Sequence, residues 1–152
     1  MAIKVFFSDV DGVLTDGGMY YSESGSEFKK FCCYDGMGMK LLQERGYKVG
    51  IITSEDREIN RNRAKKLNLD FDFHGIKNKL DFIKNFCVNE NIKLSEIAYI
   101  GDDINCFDLL SNVGVCACPQ NAVSVIKSIP NIIQLKKCGG EGAFREFAEL
   151  YL

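Results

Sequence analysis

Short apolar runs alternate with longer amphipathic segments along the 152 residues of this chain. The apolar runs lie at 3–8, 48–53, 70–74, 97–101, 113–117 and 131–135. The segments with helical periodicity lie at 36–45, 56–67, 77–91, 104–111 and 122–128, and a last one begins at 141. Apolar runs of this length are typical of strands that are buried on both faces. The alternation therefore predicts an α/β fold with helices on both faces of a mostly parallel sheet.

One segment, 17–33, breaks this alternation. Its apolar and aromatic residues lie within 19–21 and 27–31, on either side of the polar stretch 22–26, and this pattern predicts a β-hairpin. The aromatic side chains are too numerous for a hairpin that is surrounded by water. They pack either on the domain itself or on another subunit, and we favour another subunit.

Composition and charge exclude several classes of protein. The net charge is −2, with acidic and basic residues mixed throughout, so the chain presents no basic face for nucleic acid. No apolar run approaches the length of a membrane span, and the N-terminus lacks the pattern of a signal peptide. We therefore expect a cytoplasmic protein that binds neither membranes nor nucleic acid, with a single domain over residues 1–152.

Two carboxylates follow the first apolar run directly. Asp9 and Asp11 are separated by one residue and precede Gly12. The carboxyl end of a parallel strand faces the crevice in which open α/β sheets bind ligands. Two like charges at this spacing repel unless a cation or a shared proton relieves them. The pair therefore indicates a metal-assisted nucleophile and an acid/base group, and carboxylates that only cap a turn are the alternative.

Two later strand ends carry compatible side chains. Thr53 ends the second apolar run, where a hydroxyl before a helix N-terminus suits a phosphate oxygen. Capping of that helix by Thr53 or Ser54 would produce the same pattern. Asp102 follows the run 97–101 and adds a third carboxylate, which completes an oxygen-rich site of the kind that Mg²⁺ prefers.

The sequence from Asp9 to Gly17, DVDGVLTDG, resembles the first motif of the haloacid dehalogenase (HAD) phosphatases. Thr53, Lys79 and Asp102 match the second, third and fourth motifs in order. The resemblance implies a three-layer Rossmann-like fold and a Mg²⁺-dependent phosphomonoesterase. In this family the residue at Asp9 attacks phosphorus and forms an aspartyl-phosphate, and the residue at Asp11 acts first as an acid and then as a base.

The same resemblance assigns the remaining catalytic groups. Thr53 and Lys79 would stabilise the phosphoryl group, while Asp9, the backbone carbonyl of Asp11, and Asp102 would hold Mg²⁺. Lys77 competes with Lys79 for the third motif, but the spacing from Gly75 and the following Leu80 favour Lys79.

The chain departs from the family pattern at Cys106, where an aspartate usually supports the catalytic lysine. Asp103 is a candidate to compensate for the missing carboxylate.

The spacing of the motifs leaves no room for a cap domain over the site. This feature, together with Asp35-Gly36 and the tail at about 136–152, resembles the capless sugar-acid phosphatases. That family comprises 3-deoxy-manno-octulosonate (KDO) 8-phosphate phosphatases and nonulosonate 9-phosphate phosphatases. The resemblance implies a homotetramer in which the hairpin and the Gly-rich tail reach the neighbour's active site. It also implies a small phosphorylated sugar acid as substrate.

The loop after Thr53 favours the nonulosonate branch, with KDN or N-acylneuraminate 9-phosphate as substrate. The octulosonate enzymes resemble Thr-Gly-Arg at this point, whereas Ser54 and Glu55 follow Thr53 here. Glu55 is predicted to accept hydrogen bonds from sugar hydroxyls. Arg63 and Lys66 share one helical face and are predicted to hold the substrate carboxylate, unless they only form a solvated basic face.

Ser54 and Gly12 complete the predicted substrate contacts. Two alternatives remain open. The first is a KDO 8-phosphate phosphatase, and the second is a non-catalytic regulatory or scaffolding homologue, which the substitution at Cys106 would suit.

Overall fold

The computed structural model describes residues 2–152 and contains two sheets. The strands are β1 (Val5–Ser8), β2 (Tyr20–Tyr21), β3 (Glu27–Phe28), β4 (Lys48–Ile52), β5 (Phe71–Phe73), β6 (Ile97–Ile100), β7 (Val115–Cys118) and β8 (Ile133–Gln134). Six of them form a parallel sheet in the order β5-β4-β1-β6-β7-β8, and β2 pairs with β3 as a separate antiparallel hairpin.

Helices cover both faces of the six-stranded sheet, which confirms the predicted α/β class. They are α1 (Cys33–Glu44), α2 (Glu58–Lys66), α3 (Lys79–Glu90), α4 (Phe107–Leu110), α5 (Ser124–Lys127) and α6 (Ala143–Glu149). The last helix begins at Ala143 rather than at 141. The reason is that Gly140 and Gly142 have φ angles of 74° and 101°, which a right-handed helix excludes.

Alternating side chains of each central strand enter two different cores, because successive residues of a strand point to opposite faces. Phe6 belongs to the core beneath α1 and α6, where its ring lies 5.6 Å from that of Phe147. Phe7 belongs to the core beneath α3, where its ring lies 5.3 Å from that of Phe86. Both phenylalanines of β1 are fully buried, and each contributes on the order of 2–3 kcal/mol by the transfer of its ring from water. The strand is therefore anchored from both sides.

The strand order creates a crevice at the carboxyl edge of the sheet. From β1 the chain moves outward to β4 and β5, and then returns to the other side of β1 to form β6, β7 and β8. Ser8 pairs with Ile51 on one side and with Ile100 on the other. The residues that follow β1, β4 and β6 are therefore brought together, and connections that diverge in this way leave a site for ligands.

Little chain is available to cover this crevice. Between β1 and β4 the chain forms only the hairpin and α1, and between β4 and β6 it forms α2, β5, α3 and a short 3₁₀ turn. Within the described residues, the crevice is thus bordered by the hairpin and carries no cap domain. No helix among residues 2–152 combines the length and apolar character needed to cross a bilayer.

Asp35 joins the first and last helices. It lies in the first turn of α1, and its Oδ1 accepts the backbone N–H of Arg145 in α6 at 3.0 Å. The side chain is buried, and Oδ2 has no hydrogen-bond partner among residues 2–152. Burial raises the pKa of Asp35 to about 6, although the N–H of Arg145 and the charge of Arg63 favour the ionised form.

This burial predicts a specific dependence of stability on pH. Because the folded-state pKa of Asp35 lies above its unfolded value of 3.8, folding stability falls as the pH rises from about 4 to about 6. Asp35→Asn keeps an oxygen that accepts the Arg145 N–H and removes the buried charge. Between about pH 4 and pH 6, the unfolding free energy of the wild-type protein should fall by about 3 kcal/mol more than that of the variant. Urea unfolding at several pH values measures it, and parallel curves for the two proteins would contradict the assignment.

Candidate active site

A cleft of about 280 Å³ opens where β1, β4 and β6 end. Seven of the residues predicted from the sequence line it: Asp9, Asp11, Gly12, Thr53, Ser54, Glu55 and Asp102. They come from three separate parts of the chain. They meet because parallel strands present their carboxyl ends at one edge of the sheet.

Asp9 lies at the base of the cleft and is 5% exposed. One carboxylate oxygen, Oδ1, lies 3.1 Å from Nζ of Lys79 and accepts the backbone N–H of Val10 at 2.8 Å. The other, Oδ2, accepts the thiol of Cys106 at 3.1 Å. These contacts hold the carboxylate in one orientation at the end of β1, as a nucleophile requires.

The lysine that contacts Asp9 is Lys79, the first residue of α3, whereas Lys77 is exposed. Nζ of Lys79 also lies 3.2 Å from the hydroxyl of Tyr99 and 3.5 Å from the sulfur of Cys106. Burial opposes the charge of this lysine, but the carboxylate of Asp9 outweighs burial and raises the pKa of Lys79. The ammonium therefore stays protonated beside Asp9.

Asp103 does not take the place of the missing family carboxylate. It is exposed, and its Oδ1 accepts the backbone N–H of Ile104 at 2.7 Å. Tyr99 and Cys106 support Lys79 instead, and the Tyr99 hydroxyl lies 3.1 Å from the Cys106 sulfur. Burial and the charge of Asp9 raise the pKa of Cys106 to about 12, so the thiol is neutral and donates to Asp9.

Sequence reasoning missed Tyr99. The sequence offered one signal for this residue, which is a hydroxyl group in an otherwise apolar strand.

Asp102 has the surroundings of a ligand for a divalent cation. Its Oδ1 is buried and lacks a hydrogen-bond partner in the part of the chain that the structure describes. Burial, followed by the charges of Asp9 and Asp103, raises the pKa of Asp102 to about 8. Ligand atoms of Asp9, Asp102 and Cys106 lie within 4.8 Å of one another. Mg²⁺ prefers oxygen to sulfur, so the two carboxylates fit this cation and would share its charge.

Asp11 lies at the rim of the cleft. Its carboxylate is 40% exposed and lies 3.0 Å from Nζ of Lys29, which enters from the hairpin segment. The Thr15 hydroxyl donates to the same carboxylate at 3.5 Å. Burial raises the pKa of Asp11, although Lys29 lowers it, and a raised pKa suits a group that gives and accepts a proton. Lys29 was also missed, because the sequence analysis directed the hairpin towards another subunit.

The loop after β4 supplies the remaining polar groups of the cleft. Thr53 is buried, and its hydroxyl oxygen accepts the backbone N–H of Glu55 at 3.2 Å. The hydroxyl oxygen of Ser54 accepts the side-chain amide of Asn105 at 3.3 Å. Neither Thr53 nor Ser54 caps α2, which begins at Glu58, so the capping interpretation of this pattern was wrong.

Arg63 and Lys66 lie outside the cleft. They line a separate depression between α1 and α2. The guanidinium of Arg63 donates to the carbonyl of Cys32 at 3.3 Å and lies 5.3 Å above the ring of Phe31. This side of α2 packs on the segment that leads into α1. The structure therefore does not bring these two basic residues to the catalytic cleft of their own chain.

The Gly-rich tail packs on the loop that follows β1. A Cβ atom on Gly139 would lie 2.1 Å from the carbonyl oxygen of Gly12, and the N–H of Gly140 donates to the carbonyl of Val13 at 3.2 Å. Asn121 joins both segments, because it donates to Gly12 at 3.0 Å and accepts from Gly139 at 2.7 Å. The close approach made by these glycines is thus to the backbone of their own chain.

The fold and the arrangement of the site are typical of one protein family, and comparison with known proteins identifies that family. A profile described as haloacid dehalogenase-like hydrolase matches residues 17–115, a segment that begins after Asp9 and Asp11. The chain belongs to this family.

Among curated relatives, the 3-deoxy-D-manno-octulosonate 8-phosphate phosphatase KdsC of Haemophilus influenzae is 31% identical over 150 residues. This alignment covers 99% of this chain and 83% of that protein.

Solved structures resemble the chain closely. A probable YrbI family phosphatase from Pseudomonas syringae pv. phaseolica matches with a TM-score of 0.94 and 38% identity, over 98% of this chain and 84% of that one. The 3-deoxy-D-manno-octulosonate 8-phosphate phosphatase of Moraxella catarrhalis, in complex with a magnesium ion, a phosphate ion and a KDO molecule, matches with a TM-score of 0.92 and 34% identity, over 97% of this chain and 84% of that one. The protein is therefore a phosphoric monoester hydrolase, not a non-catalytic homologue, and its cofactor is Mg²⁺.

A substitution at Gly12 tests the metal site. Its φ angle is +81°, and a Cβ atom would lie 1.8 Å from Oδ2 of Asp102. Gly12→Ala should displace this carboxylate and raise the Mg²⁺ concentration for half-maximal activity by about 10–100-fold. Gly46→Ala is the matched control, because Gly46 has a φ of +94° and no atom within 4 Å of the added Cβ. Equal Mg²⁺ requirements in the two variants, measured with p-nitrophenyl phosphate, would refute this role of Gly12.

Proposed function

We propose that this enzyme hydrolyses 3-deoxy-D-manno-octulosonate 8-phosphate to KDO and phosphate. The observation that carries the proposal is the likeness to the Moraxella catarrhalis phosphatase that holds magnesium, phosphate and KDO, at 34% identity over 97% of this chain. The KdsC protein of Haemophilus influenzae, matched over 99% of the chain, supports the same substrate. The sequence analysis placed a nonulosonate 9-phosphate first, and these relatives favour its alternative.

One observation favours the nonulosonate as a second candidate. Glu55 lines the cleft with its carboxylate 48% exposed, in the loop where the sequence differs from the octulosonate pattern. A carboxylate there could accept hydrogen bonds from the hydroxyls of a longer sugar acid. Ser54 and Gly12 lie in the same cleft and remain proposed substrate contacts.

The geometry supports a two-step mechanism. Asp9 attacks phosphorus in line, so that an Asp9 O–P bond forms as the bond to the sugar oxygen breaks. Asp11 gives its proton to that oxygen. Asp11 then accepts a proton from the water that attacks the aspartyl-phosphate, which releases phosphate and restores Asp9.

Lys79 and Thr53 complete the phosphoryl site. The ammonium of Lys79 lies 3.1 Å from Asp9, and the Thr53 hydroxyl lies in the same cleft. Asp9, Asp102 and the backbone carbonyl of Asp11 would hold Mg²⁺, which when bound neutralises charge on the phosphoryl oxygens.

We also propose that the protein is a homotetramer in which the hairpin packs on a neighbouring subunit. The support is the outer surface of the hairpin, where Met19, Tyr20, Tyr21 and Phe28 are 74%, 45%, 56% and 56% exposed. Such an apolar patch is typical of a surface that a protein partner covers. In this arrangement Arg63 and Lys66 would act at the active site of the neighbour, since they lie outside the cleft of their own chain. The part of the tail that does not pack on the loop after β1 would act there as well.

The mechanism makes Asp9 indispensable. Asp9→Asn keeps the size of the side chain and removes the nucleophilic charge, so Mg²⁺-dependent release of phosphate should fall by about 10⁴-fold or more. Asp108→Asn, at an exposed position of α4, is the control and should keep wild-type turnover. A phosphate-release assay with matched Mg²⁺ measures both, and wild-type turnover of Asp9→Asn would rule out the aspartyl-phosphate.

The identity of the substrate is tested by direct competition between the two candidates. We expect kcat/KM for KDO 8-phosphate to exceed that for KDN 9-phosphate by about tenfold or more, since a site shaped for one chain length binds the other less well in the transition state. The same enzyme preparation is assayed on both substrates. A preference for the nine-carbon acid would instead establish the second candidate and the role of Glu55.

A further inference from the structure

The hairpin segment carries a buried lysine into the active-site cleft. Lys29 follows β3 directly, and its side chain is 4% exposed. Its neighbours in sequence are much more open, with Phe28 56% exposed and the side chain of Lys30 51% exposed. A buried ammonium requires hydrogen-bonding partners, because its removal from water is otherwise costly.

Lys29 finds three such partners on three different segments. Its Nζ lies 2.8 Å from Oε2 of Glu55, 3.2 Å from Oδ1 of Asn60, and 3.0 and 3.1 Å from the two carboxylate oxygens of Asp11. An ammonium has three N–H donors, so each of the three residues can receive one. The contacts therefore link the loop after β1, the loop after β4 and the first turns of α2.

Other contacts fix the hairpin independently of Lys29. Glu27 forms an ion pair with Arg57, and Thr15 forms an isolated β-bridge with Phe31. Lys29 is thus delivered to the cleft by a segment that is already attached on both sides. Without Lys29, the remaining side-chain hydrogen bond to Asp11 among the described residues is the 3.5 Å contact from Thr15.

We propose that Lys29 is a positioning residue that orients the carboxyl group of Asp11 for proton transfer to the leaving oxygen of the substrate. The proposal rests on the proposed role of Asp11 as the acid. In that step the Asp11 O–H bond breaks and its proton joins the sugar oxygen, while the P–O bond to the sugar breaks and the bond from Asp9 to phosphorus forms. Contact with both oxygens of Asp11 sets the plane of the carboxyl group, and Glu55 and Asn60 hold the lysine in place.

The test uses leaving groups that differ in their need for a proton. p-Nitrophenolate leaves without much protonation, whereas phenolate requires it, and kcat/KM reports the step in which the ester bond breaks. Lys29→Met should lower kcat/KM for phenyl phosphate by about tenfold more than for p-nitrophenyl phosphate, and Asp11→Asn should show the same pattern more strongly. The control is Lys30→Met, which removes a surface ammonium 3.9 Å from Glu141 and should change neither value.

The outcomes separate the two claims. If Asp11→Asn lowers kcat/KM equally for both substrates, Asp11 is not the acid, and the proposed mechanism fails together with this inference. If Asp11→Asn discriminates between the substrates and Lys29→Met does not, only the role of Lys29 is overturned. A Lys29→Met protein that does not fold is replaced by Asn60→Leu, which removes one partner of Lys29 and should give the same pattern with a smaller ratio. If Asn60→Leu lowers kcat/KM equally for phenyl phosphate and p-nitrophenyl phosphate, the proposal is overturned.

Discussion

The candidate active site is built on one pair of opposite charges that are both buried, Asp9 and Lys79. Either charge alone in this environment would cost several kcal/mol, so each depends on the other. The pair joins the end of β1 to the first residue of α3, and through it the sheet fixes the position of the helix. Tyr99 and Cys106 contact Lys79, and ligand atoms of Asp102 and Cys106 lie within 4.8 Å of Asp9.

The neutral side chain of Cys106 changes the balance of charge in this cluster. Where the family pattern has a second carboxylate, the thiol donates to Asp9 and lies 3.5 Å from Lys79. Lys79 therefore faces one carboxylate rather than two. The positive charge of Lys79 and the negative charge of Asp9 therefore balance one to one.

Much of this arrangement could be predicted from the sequence, because it depends on local pattern. Strand ends follow from short apolar runs, and Asp9, Thr53 and Asp102 each lie one or two residues beyond the end of a strand. Contacts that depend on the direction of a side chain could not be predicted in the same way. Lys29 looks like a surface residue of a hairpin, and Arg63 looks like a cleft residue of a helix, but tertiary packing places each in the opposite environment.

The tail supports a loop of the site that lies much earlier in the sequence. The backbone of the loop after β1 is held by Gly139, by Gly140 and, through its side chain, by Asn121. These partners lie more than one hundred positions later in the sequence. A growing chain on the ribosome therefore contains Asp9, the proposed nucleophile, long before the support for its loop has emerged. Catalytic competence, on this basis, requires residue 140 to have been synthesised and is not acquired as each motif appears.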